Sequence, residues 1–105
     1  MNYLRAGVRI PLELPAEVRW KSHAGEPRQV QGKTASISAN GMFVSLPVPL
    51  RHHTPVTITI SLPVEVTKIP LQLCCRGRVV SQPPKRAGIG AIIDDYRFRP
   101  ARQLV

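Results

Sequence analysis

Eleven prolines punctuate this 105-residue chain and argue against long helices, because each proline inside a helix costs about 3 kcal/mol. The stretches between them alternate instead. Leu12, Leu14, Ala16, Val18 and Trp20 interleave with Glu13, Pro15, Glu17, Arg19 and Lys21. That period of two gives one apolar face and one wet face, the pattern of a half-buried strand. Val56, Ile58, Ile60 and Leu62 interleave with Thr57, Thr59 and Ser61 in the same way.

Four further segments complete the set. Residues 30–36 read as a strand weakened by Gly32. Residues 42–46 follow Asn40-Gly41, a turn signal because both residue types tolerate positive φ. In 71–80, Leu71, Leu73, Cys75 and Val79 share a face. In 87–93, Ala87, Ile89, Ala91 and Ile93 share a face, and Gly88 and Gly90 point to the side where something must approach closely. Pro15 has no N–H, so the first strand is expected at an edge or with an unpaired stretch. Segments this short, this frequently interrupted, predict an all-β domain. A six-stranded antiparallel β-barrel is favoured, since closure removes exposed edges. The expected division is a mobile arginine-bearing loop over 1–11, the barrel over 12–95 and a tail over 96–105, with a short C-terminal helical turn after Pro100.

The formal net charge is +9, and Arg supplies eleven of the fifteen cations. Arg carries a planar fork suited to phosphate and to guanine, so an anionic partner is indicated; solubility alone explains the excess equally well. Nucleic acid is disfavoured as that partner, because aromatic content is 5%, thin for base stacking. Cys74 and Cys75 are adjacent and, in a strand, point to opposite faces. One is expected in the core and one near the surface, unpaired, as in a reducing cytoplasm. No apolar run approaches the roughly 18 residues of a membrane span, and none has signal-peptide character, so membrane insertion is not expected. His52 and His53 lack the spaced cysteine or carboxylate partners of a metal site. Ser36 and Ser38 have no His–Asp relay. No catalytic residues, metal or cofactor are expected, and the chain is not read as an enzyme.

Two short motifs remain. Arg5 and Arg9 stand four apart before the first strand, and Ser36-Ile37-Ser38-Ala39-Asn40-Gly41 follows the second. The pair resembles the double signature of the PilZ domain, Arg-x-x-x-Arg followed by Asp/Asn-x-Ser-x-x-Gly. Cys75-Arg76-Gly77-Arg78-Val79-Val80 and Gly88-Ile89-Gly90-Ala91 look like that family's late strands, so the likeness covers nearly the whole chain.

The resemblance implies a split-barrel fold that binds cyclic di-GMP, a bacterial second messenger tied to motility, biofilm or secretion machinery. It implies ligand contacts from Arg5, Arg9, Ser36, Ser38 and Gly41. Binding would order the N-terminal loop and alter the surface shown to an unidentified effector protein, acting in trans. The chain departs from the pattern at Ser36, where the family has Asp or Asn. A carboxylate accepts from both N–H groups of the guanine edge and a hydroxyl reaches one well, a loss of about 1–3 kcal/mol. Asn40 can compensate from across the turn. Leu4 precedes Arg5 where an extra arginine would neutralise a second ligand molecule, so one ligand per domain is expected. Arg76 and Arg78 can supplement the site or form a solvated face. A degenerate adaptor that binds cyclic di-GMP weakly or not at all is the alternative, and Ser36 is its support.

Overall fold

The computed structural model describes residues 10–82 and 87–101. It contains β1 (Ile10–Pro11), β2 (Pro15–Lys21), β3 (Pro27–Ser38), β4 (Gly41–Ser45), β5 (Pro55–Ser61), α1 (Val64–Thr67), β6 (Leu71–Ser81) and β7 (Ile89–Pro100). The sheet order is β1-β3-β2-β5-β6-β7-β4, with β3 also paired to β4, and every pairing is antiparallel. β2 to β7 therefore close into a six-stranded barrel, as expected from the sequence, and β1 is an extra short strand on β3.

Closure depends on β3. Its first part pairs with β2 over Pro27–Lys33, and its second part pairs with β4 over Lys33–Ser38. Between them the β4 register shifts at Thr34/Ser36, a bulge that bends the strand and increases its twist. Gly32 sits just before the bend because a Cβ there would strike the Ser45 carbonyl and Leu46. The alternating apolar faces meet inside. Val18, Val44, Ile58, Ile60, Val79 and Ile89 have no accessible surface, and Leu14, Met42, Val56, Cys75 and Ala91 pack with them.

Several expectations shift. β2 is not an edge strand: it lies between β3 and β5, and only its ends lack β5 partners, Pro15 at the start and Trp20 and Lys21 after the pairing stops at Arg19. First position in a strand is where proline is tolerated. Residues 10–11 pair as β1 rather than belonging to the loop. The strand expected to close at Asp94-Asp95 continues to Pro100, because β6 offers partners as far as Leu71. Tyr96 and Phe98 alternate with Arg97 and Arg99 there. Beyond Ile92 this strand is paired only to β6 among the described residues, and its arginines and proline discourage edge-to-edge association. The expected helical turn falls on 101–105, of which only Ala101 is described. A different short helix, α1, spans the segment between Pro63 and Pro70.

The turn at Asn40-Gly41 also has another cause. Ser38 pairs directly with Gly41, so Ala39 and Asn40 form the turn, and neither has positive φ. Gly41 is a strand residue, and its missing side chain admits the Ala91 carbonyl, which a Cβ would meet at 2.8 Å.

Candidate functional site

β1 and β2 are one strand interrupted at 12–14, and a buried threonine spans the interruption. Leu14 N–H donates to Thr34 Oγ1 at 2.9 Å, and Thr34 Oγ1 donates to the Leu12 carbonyl. Thr34 N–H donates to the Leu14 carbonyl at 2.9 Å, and Leu12 N–H to the Ala35 carbonyl at 3.3 Å. Thr34 is 1% exposed, so its hydroxyl replaces backbone partners that would otherwise be unsatisfied inside the fold. The kink redirects the chain onto the second part of β3, where Ile10 pairs with Ile37 and Pro11 with Ser36.

The serine-glycine motif lies at this place. Ser36 and Ser38 are half-buried on β3, and Gly41 opens β4. Ser38 Oγ lies 3.2 Å from the Gly41 carbonyl and 3.4 Å from Asn40 Oδ1. A hydroxyl has one proton to give, so it donates to one of these and keeps acceptor capacity for a ligand N–H. Arg5 and Arg9 lie outside the described residues. Arg9 is nevertheless one peptide bond from Ile10, which faces Ile37 beside Ser38. The structure thus brings Ser36, Ser38 and Gly41 together, with Ile10 and Pro11 paired beside them.

Register extends this corner across the barrel wall. Ser38 pairs with Gly41, Gly41 with Ile92, and Ile92 with Arg78. Directly opposed residues share a face. The neighbouring row of Ile37, Met42, Ala91 and Val79 faces the core, so the Ser38 row faces outward. Ile92 is 37% exposed and supplies an apolar floor. Arg78, three strands from Ser38, is about 14 Å away at the usual strand spacing. It is held by Asp94, with Nη1 3.3 Å from Oδ1 and 3.2 Å from Oδ2. The next row joins Ser36, Phe43, Gly90 and Ser81. What approaches the late glycines is now evident: a Cβ on Gly90 would strike Ser81 Oγ, and one on Gly88 would meet the Phe43 ring at 2.9 Å. Sequence reasoning offered Arg78 only as a supplement or a solvated residue and did not single out Ile92, because their neighbours come from strand order rather than chain order.

Asp95 holds Arg76, with Nη2 at 2.7 Å and Nε at 3.2 Å from the same oxygen, and this hydrogen bond raises the guanidinium above its usual pKa. Of the cysteines, Cys75 is buried and Cys74 half-buried, both free, as their adjacency in a strand implies. Burial, with smaller contributions from Cys74 and Asp95, pushes the Cys75 thiol up to about 11. Among the described residues, no group of three or more His, Cys, Asp or Glu is placed to hold a metal, and no helix is long and apolar enough to cross a membrane.

Comparison with known proteins bears directly on this corner. No curated protein matches the chain. Among solved structures, the PilZ domain of CeSA from a cellulose-synthesizing bacterium is similar, with 31% identity, a TM-score of 0.56, and coverage of 83% of this chain and 81% of that one. The family model of the PilZ domain matches residues 3–103, spanning both the arginine pair and the serine-glycine turn. This chain belongs to the PilZ domain family.

Proposed function

We propose that this domain is a cyclic di-GMP receptor of the cytoplasm whose N-terminal loop changes on binding and thereby alters the surface offered to a partner protein. Membership of the PilZ family, a family of cyclic di-GMP-binding domains, supplies the ligand class. The observation that carries the reading is the pairing of Ile10–Pro11 with Ser36–Ile37. It supports the reading because the two residues that directly follow the arginine-bearing segment are paired beside the serine-glycine corner. Arg9 is adjacent to that pairing and Arg5 is within about 18 Å of chain length, so both guanidinium forks can reach a ligand on the outward row of Ser38, Gly41 and Ile92. The arginines would hold phosphate and guanine, Ser38 would hydrogen-bond the ligand, and Gly41 would leave room beside it. Ser36 would contribute a single, weaker contact. The ligand can shift the loop only by its differential affinity for the two arrangements.

Calorimetric titration with cyclic di-GMP at moderate salt tests this. Saturable binding near one ligand per domain is expected, lost or reduced at least about tenfold in Arg5→Ala and in Arg9→Ala. A flat titration of the folded protein overturns the receptor reading and leaves the adaptor.

A further inference from the structure

At the other end of β3 a groove of about 1000 Å³ crosses the outer wall. Arg28, at its rim, is ten residues from Ser38, a contour of about 33 Å along an extended strand. Register builds the floor. Gln29 pairs with Arg19, Arg19 with Thr57, Thr57 with Arg76, and Arg76 with Asp95. Arg19 and Arg76 therefore stand on one face, two strands and about 10 Å apart. Beyond Arg19 β2 parts from β5, and the opening is bordered by Lys21 on the Arg19 face, by the directly opposed pair Trp20 and Arg28 on the other, and by Pro27 and Pro55.

The cations are available. Arg19 is 3.6 Å from Glu17 and Arg28 is 3.3 Å from Glu26, in pairs that are mostly solvent-exposed. Such pairs are worth roughly 0–1 kcal/mol and exchange readily. Lys21 has no carboxylate within ion-pair distance among the described residues. The two acidic residues lining the groove are already engaged: Asp95 with Arg76 and Asp94 with Arg78.

We propose that this groove binds an acidic segment of a partner protein, with carboxylates on Arg19, Lys21 and Arg28 and an apolar side chain against Trp20. A peptide suits it better than a nucleic acid. Among the described residues a single aromatic side chain lines the groove, too few for the successive stacking platforms of a single-stranded nucleic acid, whereas separate carboxylates need only separate cations. The site is separate from the serine-glycine corner and stands without the dinucleotide.

Trp20 is the single tryptophan of the chain and lines this groove, so its fluorescence senses a segment bound there, and the charge-reversal variants tie the response to the groove's own cations. The full chain, without cyclic di-GMP, is titrated with a short synthetic peptide of glutamates and aspartates around one phenylalanine. The expected result is a saturable blue shift, weakened by salt, with about tenfold weaker binding in Arg19→Glu/Arg28→Glu and a smaller loss in Lys21→Glu. Circular dichroism confirms that each variant is folded. A flat titration overturns the proposal. So does equal binding of the matching glutamine-asparagine peptide, unchanged affinity in both charge-reversal variants, or tighter binding of a single-stranded oligonucleotide with the same spectral response.

Discussion

Ser36 and Cys75 show how much one side chain can set. Ser36 stands where PilZ relatives carry a carboxylate or amide, so Ser36→Asp should restore a second acceptor for the guanine edge. Cyclic di-GMP affinity is expected to rise about tenfold; no change or a loss by calorimetry would remove this account of the position. Cys75 is 2% exposed and its thiol is raised to about 11 from an ordinary 9.0. A raised thiol favours the protonated fold, so its stabilisation is complete below pH 9.0 and is lost as pH climbs to about 11. Denaturation midpoints over that alkaline range should fall more steeply for the wild type than for Cys75→Ala. In the native protein a thiol reagent at about pH 8 should modify Cys74 well before Cys75, because only thiolate reacts.

The bent strand β3 is the element on which fold and site both depend. Thr34 joins it to the kink between β1 and β2, and Gly41 lets β4 lie against β7. Thr34→Val keeps the shape and deletes the hydroxyl, leaving Leu14 N–H and the Leu12 carbonyl without their partner. A destabilisation of about 1–3 kcal/mol is expected in urea. Because β1 then loses its anchor, cyclic di-GMP binding should weaken although Thr34 faces away from the ligand. If affinity in the folded variant stays at the wild-type value, β1 does not position the arginines. Gly41→Val should cost a similar amount, about 1–3 kcal/mol, because its Cβ meets backbone rather than a movable side chain.

The barrel as a body is closed, with a Cα radius of gyration of 13.7 Å, near the roughly 13 Å of a compact domain this size. A closed wall has little room to deform, so ligand binding should be read out at its periphery. Hydrogen exchange with cyclic di-GMP is expected to show new protection at 1–11 and 36–41, with β2, β5 and β6 unchanged. Protection spread evenly over all strands would mean that the barrel, not the loop, responds. The +9 charge predicts a modest salt dependence for a doubly charged dinucleotide, far shallower than for a polymer that releases many counterions.

Alternation made the strands legible, since a period of two is a local property: Val18, Ile58 and Ile60 are core residues on their pattern alone, and Ser38 and Gly41 stood out by motif. The far half of β7 was missed because Asp94-Asp95 looks like a strand end; Tyr96 and Phe98 continue the strand only because β6 lies beside them. Gly88 and Gly90 do admit a close neighbour, as their place on the strand suggests, but positive φ is the wrong local reason for Gly41. Gly41 is required by a carbonyl fifty positions along the chain, which backbone preference does not reveal. Residue chemistry, period and motif were thus written in the chain. Which strands neighbour one another, and so why Ile92 and Arg78 share a wall with Ser38, depended on closure, because hydrogen bonding between distant segments has no signature in adjacent residues.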